Sequence, residues 1–159
     1  MGQRNKINIK KSKKVKYKQF DQRLHDACDP PARNAVAGWL KTVYHVDALP
    51  NPDKYAVDLV FSKNGQKIGF GEVEVRDWGY DYCPYDTIHI AQRKEKLFAY
   101  PRTTMYVVTR DLTHAYWIRA SKIKECPLIE VPNKAVANEE YFYDVPTHMW
   151  KFVDLREVF

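Results

Sequence analysis

KYAVDLVFSKNGQKIGFGEVEVR, residues Lys54 to Arg76, reads as two β-strands joined by a tight turn. Tyr55–Phe61 is the first expected strand and Lys67–Arg76 the second. Between them stands Asn64-Gly65, a strong short-range hairpin signal because both residues tolerate the positive φ of a two-residue turn. The acids are out of place. Asp58 is flanked by Val57, Leu59 and Val60, and Glu72 and Glu74 are interleaved with Val73 and Val75. Strands of this composition bury at least one face, where a carboxylate is costly unless paired, protonated or metal-bound. Ile68 and Phe70 share strand parity with Glu72 and Glu74, which argues against a fully solvated face. Three acids converging on one hairpin point to a divalent cation; paired surface acids are the plainer alternative.

The chain of 159 residues suits one domain with a substantial core. No apolar run approaches the ~18 residues a membrane span needs. The N-terminus lacks an apolar h-region, so no signal peptide is expected. Cys28, Cys83 and Cys126 are widely spaced and form no CxxC pair, which disfavours a disulfide framework or structural zinc and makes a reducing cytoplasm the expected location. No Walker A, G-x-G-x-x-G, H-E-x-x-H or zinc-finger spacing occurs, which disfavours nucleotide-driven motors, zinc proteases and zinc-finger factors.

The net charge of +6 is unevenly placed. Residues 1–18 carry Arg4, Lys6, Lys10, Lys11, Lys13, Lys14, Lys16 and Lys18 and no acid. Removing these eight leaves 18 basic against 20 acidic residues. The expected organisation is a basic, flexible arm over 1–18 and one domain over 19–159. Such an arm suits a nucleic-acid backbone, where it gains affinity through counterion release; a solubility tail is the plainer reading.

Along the chain, Phe20–Cys28 suits a short helix stopped by Asp29-Pro30-Pro31, and Ala32–Leu40 a second one with Pro31 in its first turn. Thr42–Val46 is β-branched and aromatic, hence a strand. After the hairpin comes an aromatic loop, Asp77–Asp86, suited either to stacking on bases or to packing on the sheet. Thr87–Ala99 reads as a helix with Asp86 as N-cap. Thr103–Thr109 and His114–Ala120 read as strands, Pro127–Asn138 as irregular, and Glu140–Val145 and Met149–Val153 as short strands or extended segments. This order implies an α/β fold, a mixed central sheet flanked by helices.

The order αβββαβ, with Asp58 on the second strand and Glu72-Val73-Glu74 on the third, resembles the PD-(D/E)XK nuclease superfamily over roughly residues 32–120. The resemblance implies a restriction-endonuclease-like core and Mg²⁺- or Mn²⁺-dependent hydrolysis of phosphodiester bonds. It makes Asp58, Glu72 and the main-chain carbonyl of Val73 the metal ligands. The motif lysine is replaced by Glu74. On the expected helix, Lys94 lies one turn from both Ile90 and Phe98, at the centre of an apolar stripe, and is the candidate for the displaced lysine. Asp58, Glu72, Glu74 and Lys94 are thus the candidate catalytic residues. Lys10, Lys11, Lys13, Lys14, Lys16, Lys18 and Arg93 are the candidate nucleic-acid contacts. DNA is the expected partner, with RNA left open. Cutting both strands calls for two active sites and hence a homodimer. The small size resembles nucleases of mobile or viral genomes, placing the protein in the host cytoplasm if viral. A catalytically inactive relative that binds nucleic acid, or a structural protein, stands as the alternative.

Overall fold

The computed structural model describes residues 22–53, 56–78, 81–131 and 140–156, with side chains of the first helix from Pro30 onward. The expected arm over 1–18 lies outside these residues. Helix α1 spans Gln22–Tyr44. Strands β1 (Asp47–Pro50), β2 (Leu59–Lys63) and β3 (Gln66–Val75) follow, then β4 (Thr87–Ala91) and a 3₁₀ segment, Gln92–Ala99. Strands β5 (Thr103–Val108) and β6 (His114–Arg119) precede a short helix α2 (Ala120–Ile123). The chain continues through β7 (Leu128–Val131), β8 (Glu140–Pro146), a 3₁₀ turn at Thr147–Met149 and β9 (Lys151–Asp154).

The fold is α/β around a mixed sheet of order β1-β2-β3-β5-β6-β9. Neighbours pair antiparallel except β3 and β5, which run parallel, Glu72 opposite Met105 and Glu74 opposite Val107. A smaller antiparallel sheet has the order β4-β8-β7. The β2–β3 turn forms as its sequence demands, Asn64 at φ 54° and Gly65 at 77°.

One face of the central sheet packs on α1 through Ala32, Val36, Trp39 and Leu40, which meet Leu59, Phe61, Val73 and Tyr106. The other face packs Met105, Val107, Tyr116 and Ile118 with Ile88 and Ile90 of β4, Leu97 and Phe98 of the 3₁₀ segment, and Val145 of β8. Since parity alternates along β3, Val73 faces α1 while Glu72 and Glu74 face the second layer.

Several elements differ from expectation. Pro30 and Pro31 lie inside α1 and do not stop it. They remove two amide donors, while the turns after them are held by burial of Ala32, Val36, Trp39 and Leu40. Thr42–Val46 is not a strand: the helix runs to Tyr44, whose ring meets Trp39 edge-on at 5.4 Å. His45, at φ 58°, turns the chain out, its N–H donating to the Lys41 carbonyl at 3.1 Å. Thr87–Ala99 is not an α-helix. Ile88 and Ile90 are buried in alternation, the period of a strand, and β4 pairs with β8. No helix begins at Asp86, whose carbonyl instead accepts the Thr147 N–H at 2.7 Å. The crossover between β3 and β5 is therefore strand plus 3₁₀ segment. Within Pro127–Asn138, residues 128–131 form a strand rather than irregular chain, because they pair with β8; 132–138 lie outside the described residues. Glu140–Val145 and Met149–Val153 supply strands β8 and β9.

Candidate active site

Asp58 occupies a bend immediately before β2 rather than the strand interior. The β2–β3 ladder ends at the Leu59–Gly71 pair. Beyond it, Asp58 takes over the role of the missing strand. The Val73 N–H donates to Asp58 Oδ2 at 2.9 Å, and the Asp58 N–H donates to Glu72 Oε1 at 3.2 Å. Two carboxylates are thus cross-tied at the point where the two strands part. In an extended strand the carbonyl of a residue projects to the same side as its N–H, so the Val73 carbonyl faces the same gap.

Glu72 is buried, 5% exposed. Lys94 Nζ donates to Glu72 Oε2 at 2.8 Å and lies 3.1 Å from Glu74 Oε2. Glu74 is held from its other side by Arg76, whose Nε and Nη2 donate to Oε1 at 3.1 and 2.8 Å. Arg76 Nη2 also donates to the His89 carbonyl, fixing the guanidinium against β4. Arg33 of α1 approaches Asp58 Oδ1 at 3.9 Å. The result is a row of three carboxylates and three cations in which Asp58 and Glu72 stand side by side, with Lys94 arriving from the second layer and Arg33 from α1.

Burial pushes the Glu72 carboxyl above its ordinary range; Lys94 pulls it back in part, and Asp58 pushes it further. Burial also opposes ionisation of Glu74, but Arg76 and Lys94 prevail and bring it down to about 2. For Lys94, burial favours the neutral amine, yet Glu74 and Glu72 outweigh it and raise the pKa above that of an ordinary lysine. At neutral pH Lys94 is therefore an ammonium ion, a donor and not a base.

Asp58, Glu72, Glu74 and Lys94 are brought together. Lys94 does so from a 3₁₀ segment, not from the helical stripe that singles it out in the sequence. Arg93 goes elsewhere: Nη1 pairs with Glu140 Oε2 at 3.2 Å at an exposed position. Lys10, Lys11, Lys13, Lys14, Lys16 and Lys18 lie outside the described residues. Among the described residues, no group of three or more His, Cys, Asp or Glu side chains is arranged to hold a metal ion. The donor set at Asp58, Glu72 and the Val73 carbonyl is nonetheless all oxygen. Mg²⁺ needs only one or two carboxylates, with water completing its shell. The residues present fit a hard cation on that count.

Arg33 and Arg76 are the members of the cluster that sequence reasoning misses. Arg76 continues the parity of Glu72 and Glu74, a signal available in the sequence. Arg33 has no comparable signal, because only the packing of α1 brings it to Asp58.

Other polar groups have structural partners. His89 pairs with Asp144 at 3.1 Å across β4 and β8, and His114 lies 3.6 Å from Asp154. Asp47 is bound by Lys41 at 2.8 Å. In the aromatic loop, Trp78 packs edge-on to Tyr116 at 5.9 Å and the Cys83 N–H donates to the Tyr116 hydroxyl at 2.9 Å, while Tyr82 and Tyr85 are exposed. The loop thus packs on the sheet and presents two rings outward.

The chain is thus an α/β domain with a buried carboxylate–ammonium cluster where two strands of its mixed sheet separate. No protein-family model matches it, no curated protein matches it, and no solved structure matches it. No helix among the described residues is long and apolar enough to cross a membrane.

Proposed function

We propose that this protein is a metal-dependent endonuclease that hydrolyses DNA phosphodiester bonds, built on a restriction-endonuclease-like core. The observation that carries the reading is the cross-tied pair Asp58 and Glu72 with the Lys94 ammonium 2.8 Å from Glu72. The sheet order β1-β2-β3-β5-β6, with β3 and β5 parallel, supports the finer fold reading. In that reading β4 and the 3₁₀ segment stand where the αβββαβ order has its second helix.

Asp58, Glu72 and the Val73 carbonyl would hold Mg²⁺ or Mn²⁺. Such an ion lowers the pKa of a bound water and shields phosphate charge. Lys94 remains protonated, so it orients the attacking water or binds the phosphate by charge-assisted donation. Glu74, held ionised by Arg76 and Lys94, fixes the Lys94 ammonium beside Glu72; its depressed pKa makes it a weak base. The arm over 1–18 would grip the backbone of the substrate. DNA, a homodimer for double-strand cutting and a cytoplasmic location, the host cytoplasm if the protein is viral, belong to the same proposal.

A second reading, a non-catalytic nucleic-acid-binding protein, is favoured by one observation. Lys94 and Arg76 already neutralise Glu72 and Glu74 without a metal. Nicking of supercoiled plasmid in Mg²⁺ or Mn²⁺ separates the two. The nuclease reading requires cutting that is lost in Asp58→Ala and Glu72→Ala. DNA binding by the wild type with no cutting in either ion establishes the second.

A further inference from the structure

We propose that Arg33 is a substrate-positioning residue that clamps non-bridging oxygens of the DNA phosphate held against Asp58 and Glu72. This rests on the nuclease reading of that site. Arg33 lies in α1, one helical turn from buried Val36, its side chain 27% exposed. Its interaction among the described residues is a single loose ion pair, Nη1 to Asp58 Oδ1 at 3.9 Å, too long for a hydrogen bond. Among the described residues, no hydrogen bond engages the five donors of its guanidinium fork beside the carboxylates. The other cations of the cluster differ. Lys94 is held by two carboxylates, and Arg76 is spent on Glu74 and the His89 carbonyl.

The geometry also fixes the direction of approach. Asp58 and Glu72 lie where the β2–β3 ladder opens. Arg33 comes from the α1 side and Lys94 from the opposite layer. A phosphate entering this gap meets one planar fork and one ammonium on opposite sides. A planar guanidinium matches two phosphate oxygens bidentately, which an ammonium cannot do. Among the described residues, Arg33 carries no partner that a phosphate would have to displace beyond the 3.9 Å contact.

Arg33→Ala, Arg33→Lys and wild type are compared in three measurements. Fluorescence anisotropy with a duplex oligonucleotide in Ca²⁺ reads binding without turnover. Nicking kinetics give KM and kcat. Mg²⁺ titration of nicking gives the half-saturating ion concentration. Arg33→Ala should weaken DNA binding and raise KM by about 10-fold, the scale of one charge-assisted contact. Arg33→Lys should recover only part, and half-saturation by Mg²⁺ should not move. A shifted Mg²⁺ half-saturation with unchanged DNA affinity would overturn the clamp and leave Arg33 as a support for Asp58. If wild type cuts nothing, the nuclease reading falls, and the anisotropy arm still decides whether Arg33 contacts the backbone. Equal affinity of wild type and Arg33→Ala overturns the inference in either case.

Discussion

Lys94 Nζ lies 2.8 Å from Glu72 Oε2, though the residues belong to different elements separated by an entire strand of the smaller sheet. The contact ties the 3₁₀ segment to β3 and, together with the Lys94–Glu74 and Arg76–Glu74 pairs, sets the charge state of the cluster. Both side chains are largely buried, at 17% and 7% exposure, so water screens them little.

Removing the ammonium should therefore be costly. Lys94→Met keeps the length of the side chain but leaves Glu72 without its strongest partner and Glu74 with Arg76 alone. The expected loss is about 3 kcal/mol, read as a lower urea midpoint at unchanged slope. Lys94→Met combined with Glu72→Gln should recover a good part of it, since no buried charge is then left unpaired. A single variant as stable as wild type would mean that the ion pair is effectively solvated.

The cluster also sets an acid limb. Glu74 has its pKa lowered to about 2 in the folded protein, against an ordinary 4.5. A depressed carboxylate contributes stability that is complete above the ordinary value and is lost as pH falls from there through the folded one. Glu72, raised, has the opposite sign: protonation favours the fold as pH drops toward 4.5. Glu74→Gln should thus flatten the loss of stability between pH 4.5 and 2, whereas Glu72→Gln should remove the opposing gain at higher pH. Thermal melts across pH 2–7 for the two variants check both slopes.

Gly71 precedes Glu72 where the ring of Phe61 lies over the backbone. A Cβ there would overlap the ring. Gly71→Ala should destabilise by about 1–3 kcal/mol. Gly71→Ala with Phe61→Leu should be less destabilised than the sum of the two single changes, because the leucine yields the space. Gly69 contrasts with it: a Cβ would meet the Arg102 carbonyl at 2.7 Å, a backbone atom that no side-chain change can withdraw. Equilibrium denaturation of the single and double variants tests the contact.

The hairpin was legible because its information is local. Asn64 and Gly65 adopt the positive φ that their residue types favour, and alternation along 66–75 put Glu72 and Glu74 on one face. β4 was not legible as a strand. Its partner, β8, is more than fifty residues away, and the run Ile88, Ile90, Leu97, Phe98 also satisfies a helical period. Lys94 was singled out by that helical spacing, yet it reaches Glu72 from a 3₁₀ segment; an apolar neighbourhood around a lone lysine was the part of the signal that survived. The helix past Pro30-Pro31 was hidden for a related reason, since proline punctuation is local and the burial of Val36 and Trp39 is not. Arg33 meets Asp58 only through that tertiary packing.

Residues 1–18 hold eight cationic side chains and no acid. If they contact phosphates, each contact adds about 0.9 to the magnitude of the slope of log K against log salt on duplex DNA. Deleting residues 1–18 should leave the circular dichroism of the domain unchanged and shallow that slope. Binding isotherms from about 50 to 200 mM salt provide the measurement, and an identical slope would remove the arm from the interface.

A divalent ion at Asp58 and Glu72 should stabilise the fold before any substrate is present. Burial disfavours the charge on Glu72 and the neighbouring Asp58 carboxylate disfavours it further, and a bound cation offsets both in the native state alone. By mass action, an ion at about ten times its Kd adds about 1.4 kcal/mol, worth about 3–6 °C in Tm for a domain of this size. Mn²⁺ or Mg²⁺ should therefore raise the melting temperature of the wild type. Asp58→Asn keeps an acceptor for the Val73 N–H, so it should fold, and it should lose the shift because an amide is a poor ligand for a hard cation. Glu74→Gln should retain the shift, since Glu74 is occupied by Arg76 and Lys94. A shift that survives in Asp58→Asn would place the ion elsewhere. Loss of the shift in Glu74→Gln would make Glu74 a ligand rather than the anchor of Lys94.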